Sequence, residues 1–326
     1  MTKSYVIKNC LEDMTSSGGF VWPESGYVKN GLYEFFWGIG DTNFFYPSED
    51  YYWLIVEVNE DKIIDLEDKV KFPEGNVFCT QSRDKIIEKM IEYGANPNTF
   101  MYGVSTSGYK GTSTSGDNGT STSGDYGEST SGDYGKSTSG DNGKSTSGDN
   151  GTSTSGNKGT SISGHDGTSI SGYKGTSTSG DDGISISGDR GISISSISSI
   201  STSGDNGIST SGCNSTSISG HYGTSISGDE GSSVSGNYGN SSSGDRGKST
   251  SGKCGISISG KCGISISGDC GYSYTIDGKA KTGNNGTIII EYYDSEKNKN
   301  ITKVGSEELK PNTFYKVVDG EWVEVI

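Results

Sequence analysis

Between Gly103 and Cys270 the polar and apolar positions repeat every eight residues, as Gly-x-Ser-x-Ser-Gly-x-x, for 21 copies without an insertion. The four residues x-Ser-x-Ser alternate as a strand does. The next four, Gly-x-x-Gly, are turn material, as in Gly116-Asp117-Asn118-Gly119. Gly is expected to supply the positive φ of the turn, and Asp and Asn to tolerate it. Even Ile192 to Ser201 keeps the register, with Ser196 and Ser199 in place of the two glycines. Each octad therefore predicts a short strand plus a turn.

The column before the first Ser holds mostly Thr and Ile, but also Glu128, Lys136, Lys144 and Lys248. Charges in a narrow core are prohibitive without partners, so this column is assigned to the outside and the invariant Ser columns to the inside. Hydroxyls can bond each other or the backbone there, and nothing larger fits. Three strands per coil would enclose a space that Ser cannot fill. Two strands per coil give two flat sheets closer than the usual ~10 Å spacing. One coil is then sixteen residues. The 21 octads make about ten coils and a solenoid roughly 50 Å long. The outer faces read Thr-Ser-Thr early, as at Thr112 and Thr114, and become Ile-rich later. Paired Ile184/Ile186 and Ile192/Ile194 form a candidate association surface, because exposed apolar strips of that kind mark contacts. The turns carry all six tyrosines of the repeat, from Tyr109 to Tyr238.

The flanks have other periods. In residues 1–102, Trp53 to Val58 and Lys62 to Leu66 read as strands. Ser82 to Tyr93 reads as a helix with Ile86, Ile87, Met90 and Ile91 on one face, Ser82 as N-cap and Gly94 at its end. In residues 271–326, Thr287 to Tyr293 is strand-like, and Asp319-Gly320 between Tyr315–Val318 and Trp322–Val325 signals a hairpin. The reading is a mainly β chain. A two-sided parallel β-solenoid spans 103–270, an α+β head 1–102 and a small C-terminal β cap 271–326.

Charge narrows the functional classes. The chain carries a formal −15, divided as −8, −5 and −2 over the three regions. No region is basic, so no nucleic-acid partner is expected. The N-terminal MTKSYVIKNCLEDM has no apolar run long enough for a signal peptide or membrane span; no membrane partner is expected, and the expected location is the cytoplasm or a virion.

The array resembles those of certain uncharacterised bacterial, phage and giant-virus proteins with Gly-Thr-Ala-Thr-Ala-Gly-x-x octads, here with Ser in place of both Ala. The head is similar too, in Gly18-Gly19-Phe20-Val21-Trp22-Pro23-Glu24-Ser25-Gly26, Asn30-Gly31-Leu32, Trp37-Gly38, Trp53 to Val58 and Lys69 to Gly75. The ending Leu309-Lys310-Pro311-Asn312-Thr313-Phe314-Tyr315 matches as well. The resemblance implies a shared architecture and no function. Gly31-Leu32-Tyr33 departs from the usual Gly-Leu-His of these proteins.

Candidate chemistry is sparse. The two histidines, His165 and His221, lie in repeat turns, so Cys10 and Cys79 in the head lack a nearby His for nucleophilic catalysis. No catalytic, cofactor or metal site is assigned. Cys254, Cys262 and Cys270 recur at octad spacing. Two octads per coil stack Cys254 on Cys270, as free turn thiols or as a candidate disulfide, with Cys262 at the opposite edge, too few converging ligands for a metal. Eleven octads place Asp first in the turn; calcium-binding β-rolls do so as well, but on a nine-residue repeat. The resulting expectation is a non-enzymatic structural, display or surface-binding protein. It would be a rigid rod carrying a recognition head, with a protein partner or its own copies on the solenoid faces. Two alternatives stay open: an enzyme or toxin head on a rod, and an ice-binding array of outward Thr.

Overall fold

The computed structural model describes residues 3–11, 13–15, 21–36, 52–65, 70–81, 86, 89, 90, 92–95, 104–295, 297, 299–306 and 308–325. The chain forms two compact units: residues 1–107 with 112–122 and 130–136, and residues 108–111 and 123–129 with 137–326.

In the first unit, β1 (Lys3–Cys10), β2 (Gly26–Phe36), β3 (Tyr52–Asn59), β4 (Ile64–Asp65) and β5 (Val70–Gln81) form an antiparallel sheet in the order β2-β1-β3-β5-β4. Strand β2 also pairs with β5, from Gly26 opposite Val77 to Glu34 opposite Val70. The expected strand Trp53–Val58 is the middle of β3, and its alternation serves two cores. Leu54, Val56 and Val58 pack with Val6, Trp22, Phe72 and Val77. Trp53 and Ile55 pack with Ile7, Ile86 and Met90. Ile86, Lys89, Met90 and Glu92 are helical, and Gly94 follows with φ +106°, a conformation that glycine adopts without strain. Ser82, Ile87 and Ile91 lie outside the described residues, as do Gly18, Gly19, Phe20, Trp37 and Gly38. The second expected strand is shorter than its sequence suggests: Glu60–Lys62 is a 3-10 turn held by the Asn59 side chain, leaving Ile64–Asp65.

The octads form a two-sided parallel β-solenoid. Strands pair at a spacing of sixteen residues, Lys144 with Thr160 and Ser145 with Ser161, so one coil is two octads. Alternate octads enter two different sheets of 14 and 13 strands. The last two strands of the first and the last one of the second are antiparallel, which leaves twelve parallel strands on each side. The estimate of ten coils was short because stacking continues beyond Cys270. Tyr272–Ile276 stacks on Ile256–Lys261, Lys279–Lys281 on Ile264–Ile266, and Thr287–Asp294 on Tyr272–Ile276. At this end Ala280 and Ile288 take over the inward column, and Ile290 joins them inside. Tyr315 covers them, with Leu309, Val317 and Trp322 at the margin. The expected hairpin is present, Phe314–Val318 against Glu321–Val325, with Asp319 and Gly320 both at positive φ.

Candidate functional site: the solenoid faces and edges

The inward columns are serine, as expected. First-column residues from Ser113 to Ser265 are at most 1% exposed. Most of them tie the two sheets together across the core, while the Ser113 and Ser145 hydroxyls have no protein hydrogen-bond partner. Ser201 Oγ donates to the Ser193 carbonyl at 2.8 Å, and Ser209 Oγ to the Ser201 carbonyl at 2.7 Å. From Ser225 to Ser249 the links form a continuous zigzag, each hydroxyl donating to the carbonyl eight residues back on the other sheet. A side chain one atom longer than Cβ thus spans the whole core, which is why only Ser is found there. Second-column hydroxyls, such as Ser171, Ser187 and Ser203, are buried at the turns with no protein hydrogen-bond partner.

The turns differ from expectation in one respect. Positive φ falls on the third residue and not on glycine: Asn118, Tyr126, Lys158, Asp166, Arg190, Glu230 and Cys254 all lie between 52° and 58°. Glycine is required for space. A Cβ on Gly207 would lie 2.7 Å from Ser203 Cβ, and one on Gly132 2.8 Å from the Asp117 nitrogen of the coil below. The first turn residue has a structural duty that its turn propensity does not disclose. Asp117 Oδ1 accepts the Asp133 N–H at 2.8 Å and Asp205 Oδ1 the His221 N–H at 2.7 Å, and His221 Nδ1 in turn accepts the Asn237 N–H at 2.9 Å. This column satisfies backbone donors that the strand ladders miss.

The outward residues form a regular lattice on each sheet. Thr152, Thr168, Ile184, Ile200 and Thr216 stack in register on one face, and Thr160, Thr176, Ile192, Ile208 and Thr224 on the other. Neighbours are about 4.8 Å apart between coils and about 6.6 Å apart along a strand. The candidate association residues are divided between these faces: Ile184 and Ile186 are 37% exposed on one, Ile192 and Ile194 about 40% exposed on the other.

Among the described residues, Cys213, Cys254, Cys262 and Cys270 are free thiols. Burial pushes the Cys254 thiol up, and the neighbouring Cys270 adds to this by charge and hydrogen bonding. Cys262 lies in the alternate turn, on the other edge. Cys10 is buried in the head core; the side chain of Cys79 lies outside the described residues. His165 Nδ1 meets Asp166 Oδ2 at 2.7 Å and its Nε2 meets Asp182 Oδ2 at 3.5 Å, all three exposed. The neighbouring Asp181 carboxyl is held below its ordinary range by the Ser196 hydroxyl, the Ile197 N–H and His165.

No protein-family model and no solved structure matches the chain. Curated proteins do match over part of it. These relatives are ice nucleation proteins. That of Pseudomonas syringae is 32% identical over 96 residues, covering 26% of this chain and 8% of its own length. InaU of Pantoea ananas is 26% identical over 107 residues, 29% of this chain and 10% of its own. That of Xanthomonas campestris pv. translucens is 29% identical over 110 residues, 28% and 7%. The chain therefore spans no more than 10% of the relatives it matches. They are bacterial, not viral or phage proteins. Among the described residues no helix is long and apolar enough to cross a membrane.

Proposed function

We propose that the solenoid is a non-catalytic surface-binding array and that the surface it suits is ordered water. The observation that carries this reading is the outward lattice: Thr hydroxyls and methyls and Ile side chains repeating in register on two faces. A rigid array pre-orders water or docks on ice without losing side-chain freedom, since β-branched side chains are already stiff. The partial similarity to ice nucleation proteins supports the same reading.

The test is droplet freezing and ice recrystallisation with the full chain. Wild type should freeze droplets warmer than buffer or keep ice grains small. A variant with Thr152, Thr154, Thr168 and Ile170 replaced by Lys should do so measurably less, since it breaks the lattice on one of the two faces. Lys136 and Lys248 already occupy the column of Thr152 and Thr168 on this sheet, and Thr154 and Ile170 are part-exposed on the same outward face, so the fold tolerates the change. Wild type indistinguishable from an unrelated protein at equal mass would refute the reading.

A second reading is a display rod carrying residues 1–102 as a recognition head. The outward columns favour it where Glu128, Lys136, Lys144 and Lys248 interrupt the lattice. Removing two whole coils, residues 144–175, separates the two. Activity on ice should fall with the lost lattice, whereas partner capture by a head on a spacer should not change.

A further inference from the structure

Sixteen-residue coils sort alternate turns onto two edges, and the sorting separates charge. Between residues 141 and 270, the third turn residue on one edge is Asn142, Lys158, Lys174, Arg190, Asn206, Tyr222, Tyr238, Cys254 or Cys270. It is never acidic. On the other edge it is Asn150, Asp166, Asp182, Ser198, Asn214, Glu230, Arg246 or Cys262. Its one cation, Arg246, is tied to Glu230. The first turn residues do not offset this, for each edge has four Asp and one Lys among them. One edge is therefore neutral overall with a run of three cations in consecutive coils, and the other has a net charge of −5.

The heights match as well. The turn bearing Asp166 lies half a coil above that of Lys158 and half a coil below that of Lys174. The turn bearing Asp181 and Asp182 lies between those of Lys174 and Arg190. Lys158, Lys174, Arg190, Asp166 and Asp182 are all exposed. Their contacts within the chain leave them at the surface: Lys174 sits over the Tyr173 ring at 5.3 Å, Arg190 donates to the Tyr173 hydroxyl at 3.1 Å, and both Asp flank His165.

We propose that copies of this chain associate side by side and parallel, the cationic edge of one against the acidic edge of the next. A sideways translation along the sheet plane, with no rotation, brings Asp166 between Lys158 and Lys174 of the neighbour. The same step brings Asp181 and Asp182 between Lys174 and Arg190. The contact is heterologous, so it leaves a free edge of each sign and propagates. It sets the faces of successive solenoids beside one another and widens the lattice they present. The inference stands on the edges alone and holds whatever the faces bind.

Sedimentation velocity of the full chain tests it. Self-association should appear at about 0.02 M salt and be lost at about 0.5 M, where screening shortens the reach of exposed charge to a few ångströms. The variant Lys158→Glu/Lys174→Glu/Arg190→Glu and the variant Asp166→Lys/Asp182→Lys should each be monomeric. Both should melt as folded proteins, since Glu230 and several Lys already occupy this column. Mixing the two should restore association, because each then meets opposite charge on both sides. Carbodiimide cross-linking of mixed isotope-labelled chains should join Lys158 and Lys174 to Asp166, Asp181 or Asp182. A wild-type chain monomeric at low salt, single variants that still associate, or a mixture that does not would overturn the proposal. Cross-links to other carboxylates would overturn its parallel register.

Discussion

Ser201 and Ser203 lie two residues apart on one strand, both point inward, and truncating each to Ala should move stability in opposite directions. Ser201 is fully buried and donates to the Ser193 carbonyl at 2.8 Å. Ser201→Ala removes that sheet-to-sheet link while the carbonyl keeps its ladder bond. The loss should be about 0.5–1.5 kcal/mol, the usual net contribution of one hydrogen bond. Ser203 is 3% exposed and its hydroxyl has no protein partner. A buried unpaired hydroxyl costs about 1–3 kcal/mol, so Ser203→Ala should stabilise by about 1 kcal/mol or more. The two variants should thus differ by roughly 2 kcal/mol. Urea unfolding of the full chain followed by circular dichroism, with the midpoint read at unchanged slope, measures this. Equal effects, or a destabilising Ser203→Ala, would refute the assignment of distinct roles to the two columns. Ser153→Leu sets the other limit. Ser153 Oγ is 3.1 Å from the Ser161 hydroxyl of the facing sheet, so two further heavy atoms have no room, and overpacking should cost about 1–3 kcal/mol.

Glycine acts by size and not by φ, so Gly207→Ala should destabilise, while Ser198→Gly, relieving a φ of 57°, should stabilise by up to about 1 kcal/mol; paired thermal melts decide it. Asp181 has a lowered pKa, so its contribution to stability is complete above the ordinary carboxylate range and disappears as pH falls through that lowered value. Amide chemical shifts of Ile197 should follow this titration, and Asp181→Asn should abolish it. Replacing Ile184, Ile186, Ile192 and Ile194 with Thr should preserve the melt, because Thr fills these columns elsewhere, and should remove any association that survives high salt; a wild type monomeric at high salt and high concentration would deny these residues that role. Oxidation by a small-molecule disulfide should close Cys254–Cys270 within one chain, two protons and two electrons passing to the oxidant, which is reduced to two thiols, and should leave Cys262 out; peptide mapping showing Cys262 bridged to either within a monomer would contradict the stacking.

The octad by itself determined most of the fold. Charges at Glu128, Lys136 and Lys144 place their column outside, and the unbroken Ser columns fix the inside. The small size of Ser allows two sheets and no more, hence two octads per coil. The alternation of Trp53 to Val58 and the Asp319-Gly320 hairpin were legible for the same reason: each is a local pattern of period two or a local turn preference. What the sequence did not disclose depends on neighbours eight or sixteen residues away. The cross-core bond of Ser201 and the unpartnered hydroxyl of Ser203 look identical in sequence. They differ because only the first column faces a carbonyl of the opposite sheet. The positive φ of Lys158 or Tyr238 is imposed by stacking, which leaves no room for a Cβ at the flanking glycines. The Asp column acts on the N–H of the next coil, a group no local reading could supply. The division of Ile184/Ile186 from Ile192/Ile194, and of Lys174 from Asp182, follows from alternate octads entering opposite sheets. The residues are in the sequence, but the period that sorts them is that of the coil.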